Sequence, residues 1–205
     1  MSNDVHDATD LDHPTGTTGV PRTTIIDFEG VLIRRASQPE VRSRRSIHGQ
    51  SDGTKRLERI HSSVIDVLSG DKVRWTAVAA INDALKAGER VIVSTTSEPT
   101  FVRTLLDTLG LRRTEVYEPE APGEGLMHRG QLAGLLLNGP IDPLRTRFYT
   151  ATAAPVLAAA GVRTILVDPS PAAAKRASEL PGVSVVTWPK VEHPTVIARA
   201  WGLPT

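Results

Sequence analysis

Residues 23–32 read Thr-Thr-Ile-Ile-Asp-Phe-Glu-Gly-Val-Leu. The first four are β-branched, and the run stops on a carboxylate, Asp27. A short apolar run bounded by polar residues reads as a strand buried on both faces, the kind found inside parallel sheets. Other stretches take the same form: Val91-Ile92-Val93 ending on Ser94-Thr95, and Thr164-Ile165-Leu166-Val167 ending on Asp168. Val183-Ser184-Val185-Val186 reads as a fourth strand.

Helical spacing fills the intervals. Leu57, Ile60, Val64 and Leu68 share one helix face, stopped by Gly70, and a second helix runs from about Trp75 to Ala87 with Val78, Ile81 and Leu85 inward. Gly88 is its stop signal. Pro99 suits the first turn of a helix carrying Phe101, Leu105 and Leu109 on one face before Gly110. An Ala-rich helix is expected near 150–160, and Ser170-Pro171 opens another that runs to about Leu180. Residues 115–118 and 131–137 can pair as a β-hairpin arm around a Pro/Gly-rich loop.

Apolar strands alternating with amphipathic helices predict an α/β fold: a three-layer, doubly wound (Rossmann-like) parallel sheet. The expected organisation is a disordered tail over residues 1–22 and a single domain over 23–205. Within that domain, 34–74 forms a basic cap or insertion after the first strand. The net charge of +1 conceals this asymmetry. Residues 1–30 carry six acids against Arg22, whereas 31–60 carry eight bases against Glu40, Asp52 and Glu58.

Composition narrows the function classes. With no cysteine, disulfide scaffolds, Cys-ligated zinc, iron–sulfur clusters and thiol nucleophiles are excluded. Eight aromatic residues in all are too few for a base-stacking platform, and near-neutrality gives no case for nucleic acid or an anionic membrane. No apolar run reaches membrane-spanning length, and no basic start followed by an apolar stretch marks a secretory leader. The expectation is a soluble, cytoplasmic protein with no membrane partner.

Asp27, Ser94-Thr95 and Asp168 all stand where an apolar run stops. In an open parallel sheet, ligands bind beyond the carboxyl ends of the strands, so two carboxylates and a hydroxyl would converge on one crevice. Helix capping by Asp or Thr explains any one of these residues equally well; the set of three favours a site.

These residues also carry a resemblance. Thr24-Ile25-Ile26-Asp27-Phe28-Glu29-Gly30-Val31-Leu32 resembles the first motif of the haloacid dehalogenase superfamily of phosphohydrolases, an apolar strand followed by Asp-x-Asp-Gly-Thr/Val-apolar. Arg90-Val91-Ile92-Val93-Ser94-Thr95-Thr96-Ser97 is similar to the second motif, and Thr164-Ile165-Leu166-Val167-Asp168 to the fourth. Thr108-Leu109-Gly110-Leu111 and the glycine-punctuated run from Gly130 to Pro140 resemble the phosphoserine-phosphatase-like branch. The likeness spans roughly residues 23–188.

The resemblance implies a Mg²⁺-dependent phosphohydrolase acting on a small phosphomonoester through an aspartyl-phosphate intermediate. Asp27 would be the nucleophile and a metal ligand, the Glu29 carbonyl and Asp168 further ligands, and Thr95, Thr96 and Ser97 the phosphate-binding turn. A hard cation with oxygen ligands would offset repulsion between Asp27 and phosphate.

The chain departs from the pattern three times. The acid/base position is Glu29 rather than Asp, and one methylene moves a carboxylate by roughly 1 Å, enough to cost about a hundredfold in rate. No lysine occurs between Lys86 and Lys175, which leaves the third-motif charge to Arg145 or Arg147. Asp168 is followed by no second acid until Glu179. The alternative is therefore a catalytically impaired domain of the same fold that binds or regulates.

Other features are weaker. The arginines of 34–59 could attract an anionic substrate, but charge runs are usually solvated loops. As a nucleic-acid arm they lack interleaved aromatics. Gly49–Lys55 lacks the spacing of a phosphate loop, and the six histidines show no metal-binding spacing.

Overall fold

The computed structural model describes residues 22–34, 53–69, 72–117, 141–152 and 155–189. Six strands form one all-parallel sheet: β1 (Thr23–Asp27), β2 (Arg90–Ser94), β3 (Glu115–Tyr117), β4 (Thr146–Thr150), β5 (Arg163–Val167) and β6 (Val183–Val186). Their order is β3-β2-β1-β4-β5-β6. The helices are α1 (Gly53–Ser69), α2 (Trp75–Lys86), α3 (Pro99–Thr108), α4 (Pro155–Ala159) and α5 (Pro171–Ala177). None of the described helices is long and apolar enough to cross a membrane.

The strands read as buried because they are covered on both faces. Alternate side chains of a strand point to opposite faces, and the packing follows that rule. Ile26, Val91 and Val93 join α1, α2 and α3 in one core, through Val64, Ile81 and Leu105 among others. Ile25 and Ile92 face the other way, into a smaller core with Ile141, Phe148, Leu157 and Val162. Three layers result, as the sequence predicts.

The chain leaves β1 for β2 on one side and returns to β4 on the other. The carboxyl end of β1 is therefore the switch point of the sheet, where open α/β sheets hold ligands. Register sets the heights: Asp27 lies opposite Ser94, Ile26 opposite Tyr149, and Thr150 opposite Leu166.

Several expectations need correction. Leu57, assigned to the inner face of α1, is 53% exposed; Ile60, Val64, Val67 and Leu68 make the contact instead. The helix expected near 150–160 is shorter, Pro155–Ala159; Thr150 ends β4, and residues 151–152 are bends. That strand has no aliphatic run to announce it: in Thr-Arg-Phe-Tyr-Thr only Phe148 is a buried apolar residue. Its buried threonines are accommodated by hydroxyl bonds to backbone carbonyls, Thr146 Oγ1 to Asp142 O at 2.7 Å and Thr150 Oγ1 to Thr152 O at 3.0 Å. Residues 115–117 pair with β2 in parallel as an edge strand. The 131–137 half of the expected hairpin arm, most of the 1–22 tail and residues 35–52 lie outside the described residues.

Candidate phosphoryl site at the carboxyl edge

The turn after β1 is compact. Leu32 and Ile33 donate backbone N–H groups to Asp27 O (3.2 Å) and Phe28 O (2.8 Å), and Gly30 donates to Ile33 O at 2.6 Å. Gly30 has φ +92°, a left-handed conformation that a Cβ would disfavour. Phe28 is pinned edge-on against Phe101 of α3, with ring centroids 6.0 Å apart. These ties carry Glu29 across to the turn that follows β2.

There one oxygen of Glu29 meets four donors. Oε1 accepts from Thr95 Oγ1 (2.8 Å), Thr96 N (3.0 Å), Ser97 N (2.9 Å) and Ser97 Oγ (2.7 Å). Ser97 N also lies 3.0 Å from Thr95 Oγ1. Thr95 is fully buried, Ser97 half-buried and Thr96 exposed. The turn opens directly into α3, whose N-terminus adds a favourable partial charge for an anion. A carboxylate oxygen offers about two lone-pair directions, fewer than the donors aimed at it. A tetrahedral phosphoryl group spreads the same donors over several oxygens.

Asp168 is held at the end of β5 by three ties. Its N–H donates to Val186 O (2.9 Å), Oδ1 accepts from Trp188 N (2.8 Å), and Oδ2 accepts from Arg74 Nη1 in an ion pair. It is also the described residue other than glycine with positive φ, +44°, a conformation Asp tolerates better than most. Arg74 comes from the segment before α2. That segment is clipped to the β1 turn by Arg34 N to Lys72 O (3.0 Å), Arg74 N to Leu32 O (2.9 Å) and an Ile33–Val73 bridge. Arg74 Nη2 also reaches the Gly30 carbonyl at 3.4 Å. Beside it opens a pocket of about 210 Å³ lined by Arg34, Arg74, Trp75, Asp168, Trp188 and Pro189.

The sequence-chosen residues divide clearly. Asp27, Glu29, Thr95, Thr96, Ser97 and Asp168 stand at the carboxyl edge. Arg145 and Arg147 do not. Arg147 is level with Thr24, three residues below Asp27 and thus about 10 Å away along the strand. It donates to Thr24 Oγ1 (2.7 Å) and Glu89 Oε2 (2.8 Å) at the amino end of the sheet. Arg145 lies in the short 3-10 turn before β4, further from the edge. A cation that does reach the edge is Arg74, which sequence reasoning missed. Its only advance signal was a basic residue just ahead of a helix start, at the end of the stretch expected to be an insertion.

A divalent cation held by Asp27, the Glu29 carbonyl and Asp168 does not fit this packing. Arg74 already puts a guanidinium against Asp168 and beside the Gly30 carbonyl, and like charges there would repel.

No profile of a known protein family matches the sequence, and no curated protein does. Solved structures do resemble the fold. A predicted phosphatase from Clostridium acetobutylicum superposes with a TM-score of 0.51 at 12% identity, covering 90% of this chain and all of that one. A haloacid dehalogenase-like protein of unknown function from Agrobacterium tumefaciens gives 0.49 at 14% identity, over 89% of this chain and 99% of that one. A β-phosphoglucomutase from Clostridium difficile gives 0.46 at 13%, over 89% and 97%. The chain shares its three-layer α/β fold with the predicted phosphatase.

Proposed function

We propose that the carboxyl edge is a phosphomonoester site of the phosphohydrolase type, with Asp27 as nucleophile and residues 95–97 as the anion cradle. The observation that carries this reading is the convergence of four donors on a single anionic oxygen beside the end of β1. With a phosphoryl group in the cradle, an Asp27 carboxylate oxygen would attack phosphorus as the bond to the leaving oxygen breaks, and that oxyanion would take a proton from water. Water would then cleave the acyl phosphate, returning the carboxylate and releasing inorganic phosphate. The cradle donors would stabilise charge on the non-bridging oxygens during both steps. Magnesium, which the family resemblance implies, does not fit the donor set as packed, because Arg74 holds Asp168 and lies beside the Gly30 carbonyl.

A second reading, binding or regulation without appreciable turnover, is favoured by a specific observation. Glu29 is spent on the cradle rather than aimed at a leaving group, and Asp168 is spent on Arg74.

Hydrolysis of a small aryl phosphate by the full chain and by Asp27→Asn, with EDTA or with Mg²⁺, tests both. Turnover lost in Asp27→Asn, with a hydroxylamine-sensitive phosphorylated Asp27 in the parent, is the expected result. Phosphate binding with no turnover above Asp27→Asn supports the second reading. No turnover together with no phosphate binding overturns both.

A further inference from the structure

We infer that this site carries its own counter-charges: Arg74 stands as its fixed cation and Glu29 as its resident anion, so that a phosphoryl ligand binds without metal by displacing Glu29. The inference rests on the phosphoryl reading of the cradle and adds its regulation. Two observations on either side of the 27–30 turn support it independently. The Glu29 carboxylate occupies all four cradle donors, so an incoming oxyanion must compete with a side chain tethered at high effective concentration. Arg74 spans the Asp168 carboxylate and the Gly30 carbonyl, two oxygens of the kind a hard cation would seek. It differs from a metal ion in being covalently part of the chain and permanently charged.

Arg74 also retains capacity. Its Nε is buried and has no hydrogen-bond partner among the described residues. Buried donors of this kind are costly unless paired. In the ligand-free chain Glu29 is thus an intramolecular phosphate mimic. Its departure, rather than the arrival of a cation, readies the cradle.

The test is inorganic phosphate binding to the full-length chain, followed by phosphorus NMR and calorimetry, in EDTA and in excess Mg²⁺. Glu29→Ala should bind phosphate at least about tenfold more tightly than the parent in EDTA, the scale of one charge-assisted hydrogen bond. The parent should show the same affinity with and without Mg²⁺. Arg74→Gln in the Glu29→Ala background should lose about tenfold in EDTA and recover it with Mg²⁺, because Asp168 is then released to a metal. Should Arg74→Gln fail to fold by circular dichroism, Arg74→Lys, which keeps the charge but not the two-pronged reach, takes its place. It should weaken binding to a lesser degree. Phosphate affinity that rises with Mg²⁺ in the parent, or is unchanged in Glu29→Ala, overturns this inference while leaving the phosphoryl site intact. No phosphate binding by folded Glu29→Ala in either condition overturns the cradle itself, and the inference with it.

Discussion

Replacing Glu29 with alanine removes the shared acceptor of four donors in one step. These lie between 2.7 and 3.0 Å from Oε1. Hydrogen bonds to a charged group contribute about 1.5–3 kcal/mol apiece in favourable cases, but the sum does not apply here. Thr96 is exposed and Ser97 half-buried, so water can reach them once the carboxylate is gone. Thr95 Oγ1 also keeps its contact with Ser97 N at 3.0 Å. Only the fully buried Thr95 hydroxyl loses a partner without easy replacement, which gives a net loss of about 2 kcal/mol. For a chain of this size the melting temperature moves roughly 2–4 °C per kcal/mol, so Glu29→Ala should melt about 4–8 °C below the parent. Phosphate should then offset that loss. At a free concentration of about a hundred times Kd it contributes about 2.7 kcal/mol to the folded state, more than the substitution removes. At the same concentration the parent, binding about tenfold more weakly because the ligand must first expel Glu29, should gain only about 1.4 kcal/mol. Scanning calorimetry in phosphate-free buffer with EDTA, followed by a phosphate titration, measures both shifts. An unchanged melting temperature in Glu29→Ala, or equal phosphate increments in the two proteins, refutes the argument.

Asp27→Asn should abolish aryl-phosphate turnover while keeping phosphate binding, read by steady-state kinetics beside calorimetry. Arg147→Ala should leave turnover and phosphate affinity as they are, since its partners lie at the amino end of the sheet. It should nonetheless lower stability by about 1–3 kcal/mol in denaturant unfolding, because Glu89, 9% exposed, loses its cation. Glu115 accepts two bonds from Arg90, at 2.8 and 2.7 Å, which hold its carboxyl below the ordinary range and raise Arg90. A depressed carboxylate stabilises the fold above its unfolded pKa, and that contribution is lost as pH falls through the folded value. Glu115 is half exposed, so Glu115→Gln should cost under about 1 kcal/mol at neutral pH. The difference from the parent should vanish in acid unfolding curves.

How much was legible depends on what each residue's position rests on. Asp27, Thr95 and Asp168 could be found because each ends an apolar β-branched run, and the rules of parallel sheets bring such ends to one edge. The helices at Trp75 and Pro99 were legible for a similar reason: apolar spacing, proline and glycine all agree there. β4 was not, because a strand in the middle of a sheet can be mostly threonine, arginine and tyrosine when its hydroxyls find backbone carbonyls. Missing that strand had a direct consequence. Without it, Arg145 and Arg147 read as free basic residues on a loop, available to a phosphate. Once Thr146–Thr150 is a parallel strand paired with β1, register fixes Arg147 beside Thr24 and no loop motion can deliver it to Asp27.

Arg74 illustrates the opposite difficulty. Nothing in Lys72-Val73-Arg74-Trp75 resembles a motif, and a basic residue ahead of a helix is common on any surface. What brings it to Asp168, 94 residues away in sequence, is a three-residue backbone clip between 32–34 and 72–74. Such a clip depends on backbone bonds that leave no mark in side-chain identity. The two departures from the pattern the sequence resembles, Glu29 where that pattern has aspartate and no second acid close after Asp168, are then one feature. The longer side chain reaches the cradle and supplies an anion. A lone Asp168, with no second acid beside it to recruit a metal, is matched by one guanidinium. Substituting Asp for Glu29 separates these roles. The shorter carboxylate should fall short of Thr96 N and Ser97 N, so phosphate should bind Glu29→Asp more tightly than the parent but less tightly than Glu29→Ala. If Glu29→Asp instead binds phosphate as weakly as the parent, side-chain length is not what closes the cradle.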